Sequence, residues 1–262
     1  IPLIAVTGTN GKTTTTRLIA HMAKHVGHRV GYTTTDGIYI DGYEIHHGDC
    51  TGPVSAEAVL LDPTVDFAVL ESARGGILRS GLGFDECDIS IVTNITEDHL
   101  GLKDIHTLEE MAKVKSVVAR SAKKTGYAIL NADDDLVYEM RKDVDAEVVL
   151  FSMEENNPRV EKHCNNGGIA AFIEKGYVVI SKGKWKTRVE KVIHIPLSLN
   201  GRAECMIKNI LPAVLAASLS NVSVEHIREA LKTFIPSAEQ TPGRMNIFKF
   251  KNFEVMVDYA HN

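Results

Sequence analysis

Six residues near the start, Gly8-Thr9-Asn10-Gly11-Lys12-Thr13, restrict the possible folds more than anything else in the chain. They follow a short apolar run, Leu3-Ile4-Ala5-Val6-Thr7. They precede a stretch in which Leu18, Ile19, Met22 and Val26 recur at helical spacing. A strand that enters a glycine-rich turn and leaves as a helix is the unit that cradles phosphate. Its glycines let backbone N–H groups turn toward phosphate oxygens, and the first helical turn adds unpaired donors and a favourable dipole. In that unit Lys12 reaches the terminal phosphates and the Thr13 hydroxyl joins the shell of a Mg2+ ion. Only two residues separate Gly8 from Gly11, so the loop is shorter than the common Gly-x-x-x-x-Gly-Lys-Ser/Thr form. The four successive threonines from Thr13 to Thr16 are poor helix formers, which points to a need for hydroxyls or tight packing there.

The rest of the sequence reads as a mostly parallel α/β sheet. Residues 67–70 and 89–92 are apolar without alternation, as in strands buried on both faces. Each run ends in polar residues, Glu71-Ser72 and Thr93-Asn94, at the strand ends where such sheets bind ligands. Residues 29–33 predict a further strand, and residues 38–45 a hairpin turning at Asp41-Gly42. Helices are predicted over 55–61, 108–118 and 136–141, with a strand over 127–130. From residue 148 onward, short β-branched strands separated by Gly, Lys and Asn turns predict an antiparallel extension. Two helices follow, over 205–219 and 224–234, the second capped by Ser223. Pro242-Gly243-Arg244 then breaks the chain before another pair of strands over 248–257. We place a domain boundary there, with 1–241 as an ATP-binding domain and 242–262 as a linker and the beginning of a second domain.

The 262 residues are 44% apolar, enough for a sizeable core and against disorder. A formal charge of −5 gives no global reason to hold nucleic acid or a membrane surface. Cys50, Cys87, Cys164 and Cys205 have no metal-ligand spacing and read as reduced thiols of a cytoplasmic protein. No apolar run reaches the length of a membrane span. The abrupt start in a strand and the motif beginning at Asp258 suggest a piece of a longer polypeptide.

The segment from Thr7 to Thr15 resembles the signature of the Mur ligase superfamily, ATP-dependent enzymes that join an amine to a carboxylate. Further matches follow in order: Glu71, Asn94-Ile95-Thr96-Glu97-Asp98-His99, Asn131-Ala132-Asp133-Asp134, Asn209, Pro242-Gly243-Arg244 and Asp258-Tyr259-Ala260-His261-Asn262. The resemblance implies the P-loop mononucleotide-binding central domain of that superfamily, followed by a truncated Rossmann-like domain. It also implies ATP and Mg2+ as cofactors. The nucleotide would be held by Thr9, Asn10, Gly11, Lys12, Thr13, Thr14, Asn131, Asn209, Arg244 and Asp258. The metal ligands implied are Thr13, Glu71, His99 and an N-carbamylated lysine. The Ala112-x-x-Lys spacing selects Lys115 for that lysine, whereas counting from Asp98 selects Lys113; Lys115 is favoured. Lys12, Glu71, His99, Lys115 and Arg244 form the implied catalytic set. The common Gly-x-His-Asn-x-x-Asn pattern is replaced by Gly201-Arg202-Ala203-Glu204-Cys205-Met206-Ile207-Lys208-Asn209, which leaves the start of that helix open.

Within the superfamily, the segments from Glu71 to Arg79 and from Met256 to Asn262 are most similar to the C-terminal ligase portion of the cyanophycin synthetases. That similarity implies amide formation between the β-carboxylate of a polyaspartate acceptor and the α-amine of arginine, with Arg74 and Arg79 suited to the acid. A homo-oligomer of the full-length protein is possible on this reading. Another Mur-type ligase, of peptidoglycan, pseudomurein or folylpolyglutamate type, and a nucleotide-binding regulatory module are the alternatives.

Overall fold

A computed structural model describes residues 1–97 and 106–259. The chain begins with β1 (Leu3–Thr7), α1 (Lys12–His25), β2 (Val30–Thr33), β3 (Gly37–Ile40) and β4 (Tyr43–His47). There follow α2 (Pro53–Leu60), β5 (Phe67–Glu71), α3 (Arg74–Ser80), β6 (Cys87–Val92), α4 (Leu108–Arg120) and β7 (Ala122–Asn131). The next elements are α5 (Asp135–Glu139), β8 (Glu147–Ser152), α6 (Pro158–Asn165), β9 (Ile169–Glu174), β10 (Tyr177–Lys182) and β11 (Trp185–Lys191). Two helices, α7 (Glu204–Leu219) and α8 (Val224–Thr233), precede the strands β12 (Asn246–Lys249) and β13 (Glu254–Val257).

Among the described residues, β1 to β11 form one sheet in the order β11-β10-β9-β8-β7-β6-β1-β5-β2-β3-β4. The middle of it is parallel, with β1 flanked by β5 and β6. Antiparallel strands finish both margins: β3 and β4 beyond β2, and β10 and β11 beyond β9. Alternation along β1 sends Ile4 and Val6 to one face and Leu3 and Ala5 to the other. The first face packs against Leu18, Ile19 and Met22 of α1, Ile210, Leu211, Val214 and Leu215 of α7, and Ile227 and Leu231 of α8. The second is covered by Val59 of α2 and Val118 of α4. Burial on both faces accounts for the unbroken apolar runs of β5 and β6.

The sheet is the mostly parallel α/β sheet expected, but the antiparallel extension starts later than the sequence suggested. β8 and β9 run parallel to β7, joined by the crossover helix α6. The unbroken apolar runs of β8 and β9 match those of β5 and β6, as parallel strands require, but the crossover helix α6 between them is short and polar and hid the connection. What marks it is Asn157-Pro158: Asn157 Oδ1 accepts from Arg159 N at 2.9 Å, with the proline in the first helical turn. Helix α3 was also unforeseen, because Gly75 and Gly76 disguise it. Gly76 is needed where the helix meets Thr51: a Cβ there would lie 2.9 Å from Thr51 O. The Asp41-Gly42 hairpin is as expected, with φ of 50° and 89°. Strands β12 and β13 pair with each other in a two-stranded sheet of their own.

Candidate active site

The carboxyl ends of β1, β5 and β6 lie side by side, and the loop Gly8–Lys12 rises from the middle one. Side chains just past β6 hold this loop closely. Thr93 Oγ1, just past β6, donates to Asn10 O at 2.6 Å, and Asn94 Oδ1 accepts from Asn10 N at 2.9 Å. A Cβ on Gly8 would lie 1.8 Å from Thr93 Oγ1, so only glycine fits. Gly11, with φ of 84°, starts α1 with no side-chain cap and no acidic residue in the first turn. The opening N–H donors of α1 and its positive dipole end are left for an anion. Thr13 to Thr16 are buried, as their run suggested.

Three cations converge on this loop. Lys12 Nζ donates to Thr9 O at 2.8 Å, folding over the loop it follows. Lys115, on α4 and only 4% exposed, donates to Gly8 O at 2.5 Å. Lys113 is exposed on the same helix. Arg244 comes from the segment after α8; its Nη2 donates to Thr13 Oγ1 and Thr35 Oγ1, both at 3.0 Å. Opposite them stands Glu71, the last residue of β5 and 2% exposed. Its Oε2 accepts from Thr13 Oγ1 at 2.8 Å and from Thr35 N at 3.3 Å. Its Oε1 is buried with no hydrogen-bond partner among the described residues. Burial pushes the Glu71 carboxyl up from its ordinary value, against the pull of Lys12, Thr13 and Arg244.

These groups line a cavity of about 890 Å3 together with Asn209, Asp258 and Tyr259. Asn209 is buried on α7, above Gly11. Asp258 Oδ1 accepts from Met245 N at 2.9 Å, and Tyr259 lies 5.2 Å from the Arg244 guanidinium. Thr9, Asn10 and Thr14 line the cavity as well. Of the two arginines assigned to an acidic acceptor, Arg74 lines it, whereas Arg79 is exposed and donates to Gly75 O at 2.9 Å.

Asn131 is not among the residues lining the cavity. Its Nδ2 donates to Thr93 O at 2.8 Å and its Oδ1 accepts from Asp133 N at 2.9 Å, so it ties the ends of β6 and β7 together. Asp98, His99, His261 and Asn262 lie outside the described residues. No group of three His, Cys, Asp or Glu side chains suited to a metal is present among the described residues. Thr35, Asp36 and Asp49 line the cavity without having been named as site residues from the sequence. The available signal was the polar run Thr33-Thr34-Thr35-Asp36 at the end of β2, which matches the polar ends of β5 and β6.

Residues 6–217 match the family model of the Mur ligase middle domain. A cyanophycin synthetase of Geminocystis herdmanii is 55% identical over all 262 residues, which make up 30% of that protein. One from Synechocystis sp. is 56% identical over the same span. The chain thus spans about a third of the length of these curated relatives. A UDP-N-acetylmuramoyl-L-alanyl-D-glutamate–2,6-diaminopimelate ligase of Bacillus cereus is 26% identical over 271 residues, 99% of this chain and 51% of that one. Among solved structures, another ligase of that name superposes with a TM-score of 0.73 at 24% identity, over 100% of this chain and 51% of its own. A folylpolyglutamate synthase/dihydrofolate synthase with Mn, AMPPNP and L-glutamate bound gives 0.68 at 18% identity, over 100% and 63%. These superpositions establish the shared fold.

Proposed function

The chain belongs to the Mur ligase family, and on that premise we propose that it is the ATP-binding portion of a longer ATP-dependent ligase of the cyanophycin synthetase type. The reaction would join the α-amine of arginine to the β-carboxylate of a polyaspartate backbone. The observation that carries this reading is the meeting of Lys12, Lys115 and Arg244 with Glu71 around one glycine loop. High identity along the whole chain to cyanophycin synthetases supports the choice within the family. Residues 1–241 would be the ATP-binding domain and 242–262 the entry to the next one, a division supported by the separate pairing of β12 with β13. No described helix is long and apolar enough to cross a membrane, and we place the ligase in the cytoplasm.

The chemistry has two steps. A carboxylate oxygen of the acceptor attacks the γ-phosphorus of ATP and ADP leaves, so a poor leaving group becomes an acyl phosphate. The amine then attacks the acyl carbon, phosphate departs and the nitrogen gives up a proton. The N–H donors at the start of α1, with Lys12 and Arg244, hold the phosphates and offset the charge that develops in transfer. Asn209 and Asp258 would hold the adenine and ribose ends, and Arg74 would hold the acidic acceptor. Positioning and charge stabilisation do most of the work, and no serine or cysteine nucleophile is needed.

Magnesium fits the oxygen donors that are present: the Glu71 carboxylate, with one buried oxygen lacking a partner, and the adjoining Thr13 hydroxyl. Bound there, the ion would neutralise phosphate charge. From its family motif, His99 would be a ligand of a second magnesium ion, shared with the carbamylated lysine. Lys115 is the better choice for carbamylation, because it is buried beside the loop while Lys113 faces outward. An ammonium buried against a backbone carbonyl is costly, and a carbamate would reverse its sign beside a metal. The test is sustained ADP release by the whole ligase: beyond the first turnover it should require an acidic peptide and arginine together. Sustained release with either one missing would favour a plain ATPase, and nucleotide binding without any release would favour a regulatory module.

A further inference from the structure

Arg17 in α1 is a charged side chain in an apolar place. Only 4% of its side chain is exposed, and its guanidinium carbon lies 4.6 Å from the ring centre of Tyr39, which stacks on Tyr32 at 4.7 Å. Its Nη2 donates to Tyr39 Oη at 2.8 Å and to Asp36 Oδ2 at 3.2 Å, while Nε is buried without a partner among the described residues. A guanidinium does not give up its charge, so its burial demands a fixed counter-ion. Asp36 is that counter-ion, placed by the tight link between β2 and β3, where Gly48 N donates to Asp36 O at 2.9 Å.

The same carboxylate is shared. Arg244 Nη1 donates to Asp36 Oδ2 at 3.2 Å and to Pro242 O at 2.7 Å, while Nη2 takes the two threonine hydroxyls beside Glu71. Arg244 is therefore gripped on one edge by Asp36 and faces the loop with the other. Asp36 therefore meets two guanidinium groups, of which Arg244 lines the cavity and Arg17 does not.

We propose that Asp36, anchored by the buried Arg17, is the positioning residue that docks Arg244 and the chain around it over the nucleotide loop. Without the carboxylate, Arg244 keeps the hydroxyls of Thr13 and Thr35, the Tyr259 ring and the carbonyl of Pro242, two residues back in its own segment. The consequence for turnover rests on the proposed ligase reading; the docking itself does not.

Two readouts on the whole ligase separate these. Arg244 precedes a bond that trypsin cuts, and a side chain held by Asp36 resists the protease. Asp36→Asn should speed tryptic cleavage after Arg244 by about tenfold, with Asp36→Glu restoring protection, while the melting temperature moves by only a few degrees. In kinetics, Asp36→Asn should lower kcat/KM for ATP by about tenfold in the wild-type background but by less than about twofold when Arg244→Ala is already present. Arg244→Lys, which leaves the Arg17–Asp36 pair intact, should also be cut faster, because an ammonium cannot span Asp36 and both threonines. If Asp36→Asn fails to fold, this variant decides the matter. Unchanged cleavage in the variants, or an equal kinetic loss in both backgrounds, would overturn the proposal. A wild-type enzyme without ligase turnover would reject the function proposed above and leave the cleavage result to decide the docking.

Discussion

Asn209 Oδ1 stands so close above Gly11 that a Cβ built on the glycine would lie 2.0 Å from it. Helix α7 is thus seated directly on the phosphate loop, and the left-handed Gly11 is what allows the approach. Gly11→Ala should destabilise the fold by about 1–3 kcal/mol, since strain at positive φ and a clash add together. It should also remove nucleotide binding. Denaturant melts and calorimetric titration with ATP check the two effects; a stable variant that binds ATP normally contradicts the packing described.

Lys12→Ala separates function from stability. Among the described residues, Lys12 hydrogen-bonds only to a carbonyl of its own loop, so its removal should cost no more than about 0.5 kcal/mol of stability. The loss of phosphate charge stabilisation should lower ligation by at least about 100-fold. Comparable kinetics in folded wild type and variant would refute the phosphate role.

Lys115 and Lys113 make a paired test of the carbamate. Lys115→Ala should impair acyl phosphate formation, with partial rescue by a small carboxylate in solution, while Lys113→Ala has the smaller effect. Electron density in the nucleotide complex should show a carbamate on Lys115. The reverse order of effects would move the site to Lys113.

Much of this was legible in the sequence because it depends on local chemistry. The strand, glycine turn and lysine in order leave few alternatives, and the buried faces of β5 and β6 show as unbroken apolar runs. The direction of β8 and β9 was legible only in part: their unbroken apolar runs match those of β5 and β6, but the crossover helix α6 that fixes the direction is short and polar. Asn131 shows another limit: an Asx turn after a strand looks alike whether its amide faces a ligand or, as here, joins two strand ends. The Arg17–Asp36–Arg244 chain joins residues far apart in sequence, so no spacing pattern reveals it.

His163 sets a pH dependence. Its Nε2 lies 3.1 Å from Ile169 O, so that nitrogen carries the hydrogen, and burial lowers the imidazole below its ordinary value. His21 shifts the same way for the same reason. A histidine depressed in the folded state adds stability that is present above its unfolded pKa and lost as pH falls through the folded one. Melting temperatures at about pH 7.5 and about pH 5.5 should therefore fall for the wild type, and fall less for His163→Gln. An equal drop in both would contradict this assignment.

Thiol reactivity offers a probe of the cleft. Cys205 is exposed and lines the cavity, whereas Cys50 and Cys87 are buried and the Cys87 thiol is pushed up to about 11. A thiol reagent should modify Cys205 well before Cys50 and Cys87, and ATP should slow that reaction. Protection of a buried cysteine in place of Cys205 would show that the nucleotide acts elsewhere.

The most direct test is a crystal structure with Mg2+ and a non-hydrolysable ATP analogue. The triphosphate should lie along Gly8 to Thr13 beneath Arg244, with a Glu71 oxygen on the metal and the adenine toward Asn209. A nucleotide bound outside this cavity, or a metal held away from Glu71, would contradict the account.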